Sequence, residues 1–119
     1  MKPTNESKEE PEQLKSLLKF METEKPYLDD KLTLQKLAEH LSMPEKQLSV
    51  LINQHTGRHF FDFVNEFRIK DAKVLLKDQP QLTVLEIVYE VGFNSKSSFY
   101  TAFKKETNIT PTDYRKSRV

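Results

Sequence analysis

The sequence contains no cysteine, which excludes disulfides, thiolate metal sites and cysteine nucleophiles. This absence fits a reducing compartment, and we predict a cytoplasmic protein. No apolar run approaches the roughly 18 residues of a membrane-spanning helix, and the opening stretch MKPTNESKEEPEQ has no apolar signal core. The sequence therefore predicts no membrane contact by this segment.

Glycine is scarce, with only Gly57 and Gly92 in 119 residues. Apolar and aromatic residues recur at intervals of three and four rather than in alternation, which is typical of amphipathic helices. The pattern predicts an all-α chain of seven helices, preceded by a disordered leader at residues 1–10. The helices are predicted to open at or just after Glu12, Thr33, Pro44, Phe60, Thr83, Ser95 and Pro111.

Charge is almost balanced in total, since 19 Lys and Arg face 18 Asp and Glu, but it is unevenly distributed. Residues 1–30 hold 5 Lys and 8 acidic residues, whereas residues 96–119 hold 6 Lys or Arg and 2 acidic residues. A basic C-terminal end suits a polyanionic partner, although an ordinary solvated surface has the same charges. Charge alone therefore does not choose between these two interpretations.

The helical pattern occurs twice. LTLQKLAEHLSM at residues 32–43 matches LTVLEIVYEVGF at residues 82–93 with an offset of fifty residues. The offset becomes fifty-one after the turn, so that Leu48 aligns with Phe99 and Gly57 with Asn108. Matching caps, apolar phases and helix ends indicate one helix-turn-helix unit present twice. We predict a first unit at residues 11–57, a linker helix at 58–79 and a second unit at 80–119.

The second helix of each unit has an outward face opposite its apolar stripe. These two faces are rich in short polar side chains, with a few lysines: Lys46, Ser49, Val50 and Asn53 in the first unit, and Lys96, Ser97, Tyr100, Thr101, Lys104 and the edge residue Lys105 in the second. Ser, Thr and Asn are poor helix formers, so a merely solvated face favours long charged residues instead. A helix that enters the major groove, about 12 Å wide, needs small hydrogen-bonding side chains. The faces therefore favour binding to nucleic acid.

Other conspicuous residues have simpler interpretations. The histidines His40, His55 and His59 have no metal-ligand spacing, and we predict neither a metal site nor a cofactor. Asp29 and Asp30 precede a helix as capping or solvated residues, with no partner for catalysis. We predict core packing, rather than a stacking platform for single strands, for four linker-helix residues: Phe60, Phe61, Phe63 and Phe67.

The stretch IVYEVGFNSKSSFYTAFKKETNITPTDYRK at residues 87–116 resembles the signature of the AraC/XylS family of bacterial transcriptional regulators. The resemblance covers about residues 11–118, including LAEHLSM and HTGRHFFDFVNEFRI in the first half. It implies a homeodomain-like fold of two helix-turn-helix subdomains on a long linker helix. It further implies that the two recognition helices enter successive major-groove segments of DNA.

The resemblance also implies roles for individual residues. Base-reading positions would be Lys46, Ser49 and Val50 in the first unit, and Lys96, Ser97, Tyr100 and Thr101 in the second; phosphate contacts would come from Asn53, Lys104 and Lys105. Three positions depart from the family pattern, and one of them is Val88, which replaces the small residue usual in the first helix of the unit. Val50 stands where a long polar side chain is common, and Asn108 stands where the first unit has glycine. Asn tolerates the left-handed conformation, so we expect the helix to end there nonetheless.

The resemblance implies double-stranded DNA as partner, RNA polymerase as a candidate second partner, and a sensor or dimerisation domain before this segment. We predict the DNA-binding output domain of a bacterial transcription regulator. A helical protein–protein interaction domain remains an alternative. An enzyme is not predicted, because the DNA-repair methyl acceptors that carry a related domain require a cysteine.

Overall fold

The computed structural model describes residues 11–117, which form seven α-helices and one short 3-10 turn at Pro26–Leu28. The predicted leader at residues 1–10 lies outside the described residues. The helices are α1 (Glu12–Glu24), α2 (Leu34–His40), α3 (Glu45–Thr56), α4 (Phe60–Asp78), α5 (Val84–Glu90), α6 (Lys96–Thr107) and α7 (Pro111–Lys116). The all-α prediction is confirmed over this range.

The helix starts follow from local side-chain chemistry. Thr33 accepts a hydrogen bond from the Lys36 backbone N–H at 3.1 Å. Thr83 forms a full capping box, since its hydroxyl accepts from the Glu86 N–H at 3.0 Å and the Glu86 carboxylate accepts from the Thr83 N–H at 2.8 Å. Ser95 caps α6 in the same way as the two threonines. Thr33, Thr83 and Ser95 therefore each fix the first turn of the helix that they open.

The two long outward-facing helices also end alike. Gly57 ends α3 with φ 71°, and Asn108 ends α6 with φ 69°. Both residues are in the left-handed region, where glycine has no steric penalty and asparagine has a small one. The expected equivalence of these two helix ends is confirmed.

Two apolar cores lie along the length of α4. Phe63 and Val64 in its first half join α1, α2 and α3 in one cluster. Ile69, Ala72 and Leu76 in its second half join α5 and α6 in the other. One continuous helix thus belongs to both cores, and the predicted unit boundaries at residues 57 and 79 stay a prediction.

The prediction of core packing is wrong for Phe61. Phe63 is buried and its neighbours Phe60 and Phe67 are half-buried, but Phe61 is 64% exposed. Phe60, Phe63 and Phe67 fill the side of α4 that faces the first core. The apolar residues of this stretch span more of the helix circumference than that core covers, so Phe61 remains outside it. The Phe61 ring instead packs only edge-on to Phe60, with their centroids 5.1 Å apart.

Candidate nucleic-acid interface

The outward face of α3 is set by the burial of its opposite side. Leu48, Leu51 and Ile52 are buried in the first core. The four predicted site residues of this helix are all exposed, and each lies within one helical turn of the next: Lys46, Ser49, Val50 and Asn53. Val50 is 45% exposed, so this face presents an apolar methyl surface between two polar residues.

The outward face of α6 is built in the same phase. Phe99, Ala102 and Phe103 are buried in the second core. The remaining predicted residues of the helix are exposed, except for Tyr100, which is half-buried: Lys96, Ser97, Thr101, Lys104 and Lys105. The structure thus brings the predicted residues of each helix together on one face.

Tyr100 is held in place from two sides. Its ring packs edge-on to Phe99, with the centroids 5.9 Å apart. The Lys96 Nζ lies 5.4 Å from the Tyr100 ring centroid, within range of a cation–π interaction. An aromatic ring anchored in this way loses little conformational entropy when a ligand contacts it. Lys96 and Tyr100 therefore act as one preorganised pair near the start of α6.

The lysines of these faces differ in their electrostatic environment. Lys105 Nζ donates to Asp62 Oδ1 at 3.0 Å, so an acidic residue of α4 already offsets its charge. Within residues 11–117, no ion pair involves Lys46, Lys96 or Lys104. The positive charge available to an external anion on α6 is therefore that of Lys96 and Lys104, and a phosphate would compete with Asp62 for Lys105.

Sequence reasoning missed two residues that join the second helices of the two units. Arg58 follows Gly57 at the end of α3, and its Nη1 donates to Glu106 Oε2 in the last turn of α6 at 2.6 Å. Its Nη2 lies 3.4 Å from Glu106 Oε1, which makes the pair bidentate. The hydrogen bond to Glu106 raises the pKa of Arg58 above its usual value. These partners are 48 positions apart, so no local sequence pattern predicts the pairing.

Arg68 is a third residue that sequence reasoning missed. It is buried near the middle of α4, only 6% exposed. Its Nε donates to the Tyr27 carbonyl at 2.7 Å and its Nη2 to the Asp29 carbonyl at 3.0 Å. Its guanidinium carbon lies 5.5 Å from the Phe93 ring centroid in the second unit. Burial lowers the pKa of Arg68, and the nearby carboxylates of Asp30 and Asp29 oppose that effect.

Gly92 packs against the same loop of the first unit. Its φ is 103°, and a Cβ at this position would lie 2.2 Å from the Tyr27 carbonyl oxygen and 2.9 Å from Arg68 Nε. Contacts below 3.0 Å are not tolerated between such atoms. The glycine therefore does more than form the turn before α6, because it also permits the two units to touch.

Residues 11–117 contain no group of three or more His, Asp or Glu side chains placed to hold a metal ion. No helix in this range is long and apolar enough to cross a membrane. Asp29 Oδ1 accepts from the Lys31 N–H at 2.9 Å within the turn before α2, and Thr33 rather than Asp29 caps that helix.

Two helix-turn-helix units share the continuous helix α4, and each exposes the outer face of its second helix. This arrangement defines a tandem helix-turn-helix protein. The family model described as a helix-turn-helix domain matches residues 37–117. The solved C-terminal domain of AraT, a response regulator from Geobacillus stearothermophilus, is 29% identical, with a TM-score of 0.79 over 92% of this chain and 88% of that chain. An AraC-type transcriptional regulator from Chromobacterium violaceum is 25% identical, with a TM-score of 0.76 over 90% of this chain and 92% of that chain. The chain belongs to the AraC-type helix-turn-helix family.

A curated relative shows the extent of the match. The HTH-type transcriptional regulator MtrA of Neisseria gonorrhoeae is 33% identical over 88 residues, which are 74% of this chain and 29% of that protein. The chain therefore spans less than a third of the length of this relative.

Proposed function

We propose that this chain binds double-stranded DNA sequence-specifically, as the output domain of a bacterial transcription regulator. The observation that carries the proposal is the repeated exposed face, which has the same helical phase on α3 and on α6 and combines short polar residues with a lysine in the first turn of each helix. Relatives of the same family are described as transcriptional regulators, and the Chromobacterium violaceum relative as having an AraC-type DNA-binding domain.

The dimensions of the molecule support simultaneous binding by both helices. Successive major-groove segments on one face of DNA lie about 34 Å apart. The longest dimension of the protein is 52 Å, and the 19-residue α4 extends about 28 Å at 1.5 Å per residue. We infer that α3 and α6 enter successive major-groove segments of one duplex.

We assign base reading to the residues nearest the helix starts and centres. Lysine donates to the acceptors on guanine, and serine or threonine hydroxyls contact any base edge. These donors are Lys46 and Ser49 on α3, and Lys96, Ser97 and Thr101 on α6. Val50 offers methyl groups to a thymine methyl. Tyr100, anchored against Phe99, offers a fixed aromatic edge and a hydroxyl.

Phosphate contacts are assigned to residues further along the two faces. Lys104 is exposed and has no ion pair among the described residues, and Asn53 occupies the last turn of α3. Lys105 contributes when a phosphate displaces or shares its contact with Asp62. These contacts position the helices, and base contacts supply the sequence preference.

The wider context of the chain is part of the same proposal. We propose that it acts in the cytoplasm beside RNA polymerase and is controlled by a sensor or dimerisation domain that precedes it. The relative MtrA is more than three times as long as the matched segment, which leaves room for such a domain in a protein of this kind.

The decisive experiment is selection of bound duplexes from a random pool, followed by titration of the best duplex at rising salt. We expect two sequence blocks about one helical turn apart. The two lysines assigned to phosphates, Lys104 and Lys105, predict a slope of about −2 for log affinity against log salt. A single block would contradict the two-helix model while DNA binding stands. Binding that does not weaken with salt would contradict DNA binding through phosphates and favour the interaction domain that the sequence leaves open.

A further inference from the structure

The loop that follows α3 is joined to the last turn of α6 by one ion pair. Arg58 is the first residue after the glycine that ends α3. Its Nη1 and Nη2 donate to the Glu106 carboxylate in the last turn of α6 at 2.6 and 3.4 Å. The side chains are only 32% and 16% exposed, so solvent screens this pair less than an ordinary surface salt bridge. A bidentate arginine–carboxylate contact fixes orientation as well as distance.

Two further contacts cross between the cores at the same region. Lys105 on α6 binds Asp62 in the first half of α4 at 3.0 Å. Deeper in the molecule, Arg68 binds the Tyr27 carbonyl of the first unit and lies over the Phe93 ring of the second. The second unit is therefore held to the first by side chains as well as by the backbone of α4.

Such a connection matters because DNA couples distance to rotation. Adding one base pair between two sequence blocks moves them apart by about 3.4 Å and turns one relative to the other by about 35°. A protein with loosely joined units adjusts to the altered spacing with little loss of binding free energy. A protein with units held at a fixed separation and angle loses the contacts of one unit.

We propose that Arg58 and Glu106 are positioning residues that fix the separation of α3 and α6, and that they thereby select the spacing between the two halves of the DNA site. This inference rests on the proposed function, because it requires both helices to bind one duplex. Neither residue needs to touch DNA to exert this effect.

The test uses the two-block duplex obtained by selection, the same duplex with one base pair added to or removed from the spacer, and each block alone. The measured quantity is the ratio of affinities for the original and altered spacers. For the unmodified chain we expect a ratio of about tenfold or more, comparable to losing one or two base contacts. For Arg58→Gln and Glu106→Gln we expect the ratio to fall severalfold toward one, with the affinity for a single block unchanged.

A matched control is available within the second unit. Arg115 Nε donates to the Leu76 carbonyl at 3.0 Å and its Nη2 to the Gln79 carbonyl at 3.2 Å, so it joins α7 to the end of α4 without crossing to the first core. Arg115→Gln should lower the free energy of unfolding and leave the ratio of affinities for the original and altered spacers unchanged. The exchange Arg58→Glu with Glu106→Arg should restore part of the ratio lost in either single variant.

Each outcome decides a different point. If the unmodified chain binds the two-block duplex but tolerates altered spacers, or if both Gln variants fold and keep the full ratio, the positioning role is wrong while DNA binding stands. If the unmodified chain binds no duplex in a salt-dependent way, the proposed function itself fails. Should the Gln variants unfold, Arg58→Lys, which keeps the charge but loses the bidentate geometry, replaces them, and an unchanged ratio for this variant overturns the proposal.

Discussion

Replacement of Gly92 by alanine tests whether contact between the two units stabilises the fold. The added Cβ would lie 2.2 Å from the Tyr27 carbonyl oxygen and 2.9 Å from Arg68 Nε. The carbonyl is backbone, and Arg68 is fixed by hydrogen bonds to Tyr27 and Asp29, so neither neighbour can move without breaking other contacts. The φ of 103° adds strain for any residue with a side chain.

The expected loss of stability has two parts. Backbone strain contributes about 1–3 kcal/mol. Forcing extra volume into a packed contact contributes about 1–3 kcal/mol more. The sum of about 2–6 kcal/mol is a large fraction of the 5–15 kcal/mol by which such domains are typically stable. Urea unfolding followed by circular dichroism measures it from the shift of the midpoint at constant slope.

Gly57 provides the matched control. Its φ is 71°, yet a Cβ there would meet no atom within 4 Å. Gly57→Ala should therefore cost only the conformational part, about 1–2 kcal/mol. Gly57→Asn should cost less, because Asn108 already adopts this conformation at the equivalent position of the second unit. Equal losses for Gly92→Ala and Gly57→Ala would refute the argument from close approach.

Five further substitutions test the fold and the proposed interface. Thr83→Ala removes the capping box of α5 and should lower the free energy of unfolding by about 1 kcal/mol in urea titration, and no loss would show that the cap is dispensable. Phe63→Ala should cost about 3–5 kcal/mol in the same assay, because the side chain is buried, whereas Phe61→Ala should cost under about 0.5 kcal/mol. Lys96→Ala should change the sequence preference in a duplex selection, whereas Lys104→Ala should weaken all duplexes about equally and reduce the salt slope by about 1; interchanged effects would reverse the two assignments.

The sequence predicted the helices well because their signals are local. Thr33, Thr83 and Ser95 each bond to a backbone N–H three residues ahead, so the start of a helix is encoded within one turn. Gly57 and Asn108 end the long helices through their own conformational freedom. The outward faces followed from the apolar phase of α3 and α6, which depends only on spacing along one helix.

The prediction for Phe61 failed because burial depends on what covers a helix. The apolar residues near the start of α4 span more of its circumference than the first core occupies. The spacing of these apolar residues along the chain could not show which of them the first core leaves exposed. The same reason explains why Lys105 looked equivalent to Lys104, although only Lys105 has an acidic partner on α4.

The amino-acid sequence by itself determined the seven helices, their caps, the repeat of one unit and the two sets of outward residues, because each of these depends on interactions within a few residues. The tertiary structure decided how the two units sit relative to each other. That arrangement depends on contacts such as Arg58 with Glu106 and Arg68 with Tyr27, between residues 48 and 41 positions apart. Such pairs arise only when both cores have packed on α4, so no periodicity along the chain encodes them.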